Sequence, residues 1–128
     1  MRREEHEGEP LWVHRKGAIS ARDGEPGIIP GSMGAPSFHV QGRGCARSLC
    51  SSSHGAGRCM ARGVARQRIS ARKLHEQMDG VWFDHRLAER LRDEAPGAYK
   101  DIGAVMRAQR ELTRVIRRLR PRLVLKGG

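Results

Sequence analysis

Residues 37–42, SFHVQG, alternate polar and apolar side chains. A period of two is the mark of a half-buried β-strand. The run stops at the glycines of Gly42–Gly44. Before it, residues 22–37 (RDGEPGIIPGSMGAPS) are dense with turn signals around one small apolar pair, Ile28 and Ile29. After it, residues 58–69 (RCMARGVARQRI) fit a helix with Met60, Val64 and Ile69 on one stripe, which Gly63 weakens. Strand, shaped loop and helix follow one another with no internal repeat. The mixture predicts an α+β fold.

The rest of the chain extends the pattern. Residues 10–19 (PLWVHRKGAI) read as one short strand, and residues 1–10 (MRREEHEGEP) as a polar opening expected to be poorly ordered. Residues 80–83 (GVWF) suit a strand, residues 85–94 (HRLAERLRDE) a helix, and a helical period resumes over 98–112 after Pro96. The end is ambiguous: Leu112, Val115, Ile116 and Leu119 match the helical template, whereas residues 122–128 (RLVLKGG) after Pro121 look like a strand. At 128 residues the chain has room for one domain, taken as a single segment over 1–128.

Composition narrows the partners. Twenty-five basic against 14 acidic residues give a formal charge of +11, and only Lys16, Lys73, Lys100 and Lys126 are lysines. Such an excess attracts nucleic acid, nucleotides or an anionic surface, and arginine favours bidentate phosphate contacts. The alternative is arginine-rich composition with no partner behind it. No apolar run approaches the roughly 20 residues of a membrane helix, and no secretory signal is legible, so no membrane role is expected. Three cysteines (Cys45, Cys50, Cys59) are an odd count, unlike a secreted disulfide framework, and a cytoplasmic location is expected.

Three short constellations carry possible chemistry. In residues 51–58 (SSSHGAGR), Gly55 and Gly57 let the backbone approach a ligand closely. A helix beginning near Arg58 would place its free N–H groups beside that loop, with Arg58 and Arg62 sharing a face for phosphate oxygens and Ser51, Ser52 and Ser53 adding hydroxyls. His54 there could serve as a general base, a metal ligand or a nucleophile toward phosphorus, or be a loop histidine with no role. Residues 28–37 (IIPGSMGAPS) form a Gly/Ser loop able to wrap a phosphate or a purine, though without the P-loop ending; a plain turn is the alternative. In VHRKGA (13–18), His14 precedes two cations and suits a metal or phosphate site, or the solvated end of an edge strand. A fourth grouping, Cys45, Cys50, His54 and Cys59, supplies four zinc-ligand types within fifteen residues, but only its last interval matches an RNA-binding zinc knuckle.

In order, residues 12–18 (WVHRKGA), 27–37 (GIIPGSMGAPS), 51–58 (SSSHGAGR), 93–102 (DEAPGAYKDI) and 118–127 (RLRPRLVLKG) resemble the carboxyl-terminal part of the RtcB family, GTP-dependent RNA ligases. The resemblance covers nearly the whole chain. It implies the carboxyl-terminal portion of the RtcB-type fold, with glycine-rich active-site loops, and an enzyme joining RNA 3′-phosphate or 2′,3′-cyclic phosphate ends to 5′-hydroxyl ends in tRNA splicing and RNA repair. By the same resemblance, His54 is the nucleophile that takes GMP from GTP with manganese (Mn2+) present. Guanylate-binding positions match Pro30, Gly31, Ser32, Met33, Ser37, His54, Gly55, Ala56, Gly57 and Lys126; Tyr99 matches a guanine contact and His14 a manganese ligand. Partners implied are tRNA halves, GTP and an archease-type activator protein.

Departures are also legible. The family's other metal ligands lie upstream of anything present here, and one histidine does not hold a first-row divalent ion with useful affinity. Cys45, Ala61 and Gly103 stand where the family pattern has Asn, Ser and Asp. The segment alone is therefore expected to be inactive; the alternative is a non-catalytic, basic RNA-binding remnant.

Overall fold

The computed structural model describes residues 1–126. At the start, strand β1 (Arg2–His6) pairs antiparallel with β2 (Glu9–Val13), Arg2 opposite Val13 and His6 opposite Glu9. Glu7 and Gly8 form the turn with φ of 51° and 81°, both in the left-handed region that a two-residue hairpin turn requires. The opening residues, expected to be poorly ordered, are thus paired. Charge buried within the hairpin accounts for this. Glu4 is almost fully covered and accepts two hydrogen bonds from Arg15, at 2.6 and 2.8 Å, while His6 Nε2 lies 2.8 Å from the same carboxylate.

The strand expected over 10–19 is broken. Between β2 and β3 (Ala18–Ser20) the chain turns through Gly17, because β3 leaves the hairpin to pair antiparallel with β6 (Ser51–Ser53). A three-stranded antiparallel sheet follows, in the order β4 (Pro26–Ile29), β5 (Ser37–Gly42) and β7 (Thr113–Leu119). Strand β5 is the stretch SFHVQG, and its alternation is realised: Phe38, Val40 and Gly42 are buried and Ser37, His39 and Gln41 partly exposed. Ile29, Phe38 and Val40 pack against Ile102 and Met106 of α3 (Ile102–Ala108).

Strand β7 corrects the helical template at the carboxyl end. The apolar spacing of 112–119 is helical, but the free edge of β5 offers a full ladder of backbone partners. Strand β7 takes it with a bulge at His39/Val40. After Pro121 the expected strand reduces to one bridge, Leu123 to Trp82; Gly127 and Gly128 lie outside the described residues.

A second core is helical. Helix α1 (Arg62–Arg68) and α2 (Ala71–Gln77) bury Ala65, Ile69 and Leu74 against Met33, Met78, Phe83, Leu91, Ala95 and Ala98. Helix α1 starts four residues later than the sequence predicts, because the Ala98 carbonyl accepts the N–H groups of Cys59 and Met60. Residues 85–94 form two 3-10 turns, His85–Leu87 and Arg92–Glu94, rather than one helix. The Asp84 side chain caps the first, and Leu91, at φ −92° and ψ 2°, interrupts before the second. Of residues 80–83 only Trp82 makes a bridge. No helix among the described residues is long and apolar enough to cross a membrane.

Candidate functional site

The β3–β6 pair ends at His54, whose backbone N–H donates to the Gly17 carbonyl at 3.2 Å. The turn at Arg15–Gly17 therefore passes directly beside His54, and a Cβ added to Gly17 would lie 3.9 Å from the imidazole. On the other side, a Cβ on Gly55 would come within 3.4 Å of the Pro30 carbonyl oxygen. The 28–37 and 51–58 loops thus approach as backbone against backbone. A Cβ would make ordinary contact at both positions, and Gly17 is required for its φ of 71° rather than for space.

Gly31 shows the tightest case. A methyl there would sit 2.2 Å from the Pro36 carbonyl oxygen, while the Gly31 N–H donates to Ser37 Oγ at 3.0 Å. Gly31→Ala is expected to cost about 2–4 kcal/mol, measured as a lower urea midpoint with unchanged slope. An unaltered midpoint would show that the loop opens freely.

These loops enclose a cavity of about 620 Å3. Around it stand Pro30, Gly31, Ser32, Met33 and Ser37 from one loop, His54, Gly55, Ala56 and Gly57 from the other, then Tyr99 and Lys126. The segments meet from across the chain: Lys100 N–H donates to Gly57 O at 2.9 Å, and Arg58 forms a β-bridge with Tyr99. His54 itself is exposed at the rim. Ser32 Oγ is buried in the wall and has no hydrogen-bond partner among the described residues, a deficit that native interiors rarely leave.

Residues that the sequence did not single out complete the wall: Ala35, Glu94, Pro121 and Val124. Glu94 organises one side. Its Oε2 accepts the Tyr99 hydroxyl at 2.6 Å and lies 4.0 Å from Lys126 Nζ, and its Oε1 takes Arg58 Nη2 at 3.2 Å and also Arg62. Burial pushes the Glu94 carboxyl up, but the Tyr99 hydroxyl, Arg62 and Lys126 outweigh it and hold the group below the usual carboxylate range. Burial, with the Glu94 bond, pushes the Tyr99 phenol up. The Arg58 guanidinium stacks 4.6 Å from the Tyr99 ring centroid. Glu94 stood inside the quoted DEAPGAYKDI segment, and its five-residue separation from Tyr99 was the available signal.

Tyr99→Phe removes the hydroxyl and is expected to cost about 1–2 kcal/mol. It should also raise the Glu94 carboxyl pKa toward the ordinary range, since a stabilising donor to the charged form is gone. Carboxyl carbon shifts followed by NMR through a pH series would report this; an unmoved Glu94 would mean that the arginines alone hold it.

Several sequence expectations are corrected. Arg58 and Arg62 do not form an open phosphate fork on one helix. Arg58 Nη1 donates to the Asp93 carbonyl at 2.7 Å, and Arg62 donates to Asp93 Oδ2 at 2.8 Å. The seven-residue α1 begins too late for its N-terminus to serve the glycine loop. Ser51 Oγ is taken by Arg15 Nε at 2.9 Å, and Ser52 Oγ donates to the Ser53 carbonyl. His14 is exposed and does not line the cavity. Among the described residues no three His, Cys, Asp or Glu side chains gather to hold a metal ion. The four-ligand zinc arrangement is not built from these donors, and His14 stands apart from any such group.

A glycine-walled cavity on an α+β scaffold, with one exposed histidine at its rim, defines the site. The family model described as tRNA-splicing ligase RtcB matches residues 1–127, and the chain belongs to the RtcB family. It is 49% identical to an RNA-splicing ligase RtcB of Escherichia coli K12 over 99% of this chain and 31% of that protein. A tRNA-splicing ligase RtcB of Nanoarchaeum equitans is 38% identical over 91% of this chain and 28% of its own length. That of Pyrococcus furiosus is 33% identical over 97% and 15%. The chain thus spans less than a third of each of these relatives.

Proposed function

We propose that this chain carries the guanylate-accepting part of an RtcB-type RNA ligase, with the cavity beside His54 as the nucleotide seat. The observation that supports this is the convergence of four separated segments on one cavity of about 620 Å3, within the range of small-ligand sites. A neutral imidazole nitrogen of His54 attacks the α-phosphorus of GTP; the N–P bond forms as the bond to the bridging oxygen breaks, and pyrophosphate leaves. GMP is then passed to an RNA 3′-phosphate, and a 5′-hydroxyl displaces it to form the phosphodiester.

The residues have distinct tasks in this reading. Gly55, Ala56 and Gly57 leave space for the phosphate, and Lys126 offsets its charge. The loop Pro30–Ser37 lies against the nucleoside, where the unpartnered Ser32 Oγ gains a partner. Tyr99, held by Glu94 and Arg58, contacts the base. The donors described here do not compose a manganese site. The remaining ligands would come from the portion of the relatives that this chain does not match, and ligation by this chain alone is expected to fail.

The test is incubation with GTP labelled at the α-phosphate and manganese, with and without the remaining portion of the Escherichia coli relative added as a separate polypeptide. Acid-labile, alkali-stable label on His54 supports the assignment. Absence of label even with that portion present, together with steeply salt-dependent RNA binding, would favour the non-catalytic RNA-binding remnant instead.

A further inference from the structure

We propose that a second groove, across Tyr99 from the His54 cavity, holds a nucleotide of the RNA strand. This rests on the ligase reading above and adds to it a substrate subsite. The groove has a volume of about 900 Å3 and lies between the start of α3 and the β5–β7 pair. It shares Tyr99 and Ala35 with the His54 cavity, so a single wall separates the two. The backbone bond from Lys100 to Gly57 ties its rim to the loop that carries His54.

The lining matches a nucleotide in both of its chemistries. Phe38, Ile102 and Met106, core residues each less than a tenth exposed, reach its apolar floor, while Lys100, Arg107 and Arg118 stand around it. Against these three cations is one carboxylate, Asp101, which faces Arg107 at 3.9 Å with both side chains largely exposed, a loose pair. Lys100 and Arg118 have no carboxylate within ion-pair distance among the described residues. The depression that shares Glu94 and Lys126 with the His54 cavity is different. Three of its four cations, Arg62, Arg66 and Lys126, already face Asp93 or Glu94. A phosphate entering there competes with carboxylates in place; one entering the Tyr99 groove meets free charge. Single-strand sites combine such a cationic rim with an apolar platform for the base. An acidic peptide would use the rim and leave the floor idle.

The intact chain is titrated, by fluorescence anisotropy, against a short single-stranded oligoribonucleotide ending in a 3′-phosphate. The double variant Lys100→Glu, Arg118→Glu is expected to weaken binding at least tenfold and to flatten the salt dependence by about 1.4 log units per log unit of salt, two phosphate contacts' worth. The control Arg43→Glu, Arg47→Glu, equally charged and exposed elsewhere, should stay within about twofold. A 4-thiouridine near the RNA end should cross-link to peptides containing Phe38 or residues 102–106. Equal weakening by both double variants, or cross-links confined to other surfaces, would overturn the proposal. So would competition by polyglutamate as strong as by RNA, which would point to an acidic protein segment. Transfer of labelled GMP to His54 is scored separately, with the remaining portion of the Escherichia coli relative added: its absence then sinks the guanylate reading, while the cross-link map still decides the groove.

Discussion

Glu4→Gln is expected to destabilise the protein by about 3 kcal/mol, the lower end of the cost of breaking a buried ion pair. The Glu4 carboxylate is almost fully covered, and its loss strands the Arg15 guanidinium, itself only 14% exposed. The lower end applies because Arg15 keeps two other partners, Ser51 Oγ and the Leu49 carbonyl. The effect carries a pH signature. The Arg15 hydrogen bonds outweigh burial, and with help from His6 and Arg22 they hold the Glu4 carboxyl at about 2, below its usual 4.5. A depressed carboxyl contributes stability that is fully present above about 4.5 and lost as pH falls toward 2. Urea unfolding should therefore show a wide gap between wild type and Glu4→Gln at pH 7, closing as pH falls through that window. A gap as wide at pH 2.5 as at pH 7 would show that shape, rather than charge, is what Glu4 supplies.

With the remaining portion of a relative supplied, His54→Ala is expected to abolish transfer of labelled GMP to the protein, a loss of at least about three orders of magnitude, because removing a covalent nucleophile removes the acceptor itself. His54 is exposed, so the substitution should leave the urea midpoint within about 0.5 kcal/mol. That separates lost chemistry from lost fold. Residual label of wild-type intensity in His54→Ala would place the acceptor elsewhere. His14→Ala, made in parallel with the remaining portion of a relative supplied, reads the metal role. A higher manganese requirement for labelling would make His14 a ligand, and an unchanged requirement would leave it a solvated rim residue.

Locally encoded features were legible. The alternation of β5 needed only its own six residues, and the glycine loops at 28–37 and 54–57 announced close backbone approach through composition. Features that depended on distant partners were not. Val115, Ile116 and Leu119 have helical spacing, yet their strand exists because β5 has an open edge. Residues 85–94 carry a helical pattern that breaks where Asp93 and Glu94 turn to meet Arg58 and Arg62. The first strand of the hairpin lay in what reads as a polar opening over 1–10, since nothing in MRREEHEGEP reveals that Glu4 and His6 will be covered.

The site divides the same way. The sequence by itself determined which residue types were available, in five quoted segments, because histidine, glycine, lysine and tyrosine carry their chemistry wherever they stand. Only the tertiary structure decided which of them share a cavity, since that depends on strand pairing between segments more than thirty residues apart, such as β3 with β6. It drew Glu94 in, because a carboxylate was needed between Tyr99, Arg58 and Lys126. It left His14 out, because the turn that carries it is anchored by Arg15 to the buried Glu4, while Gly17, rather than His14, is the residue set against His54.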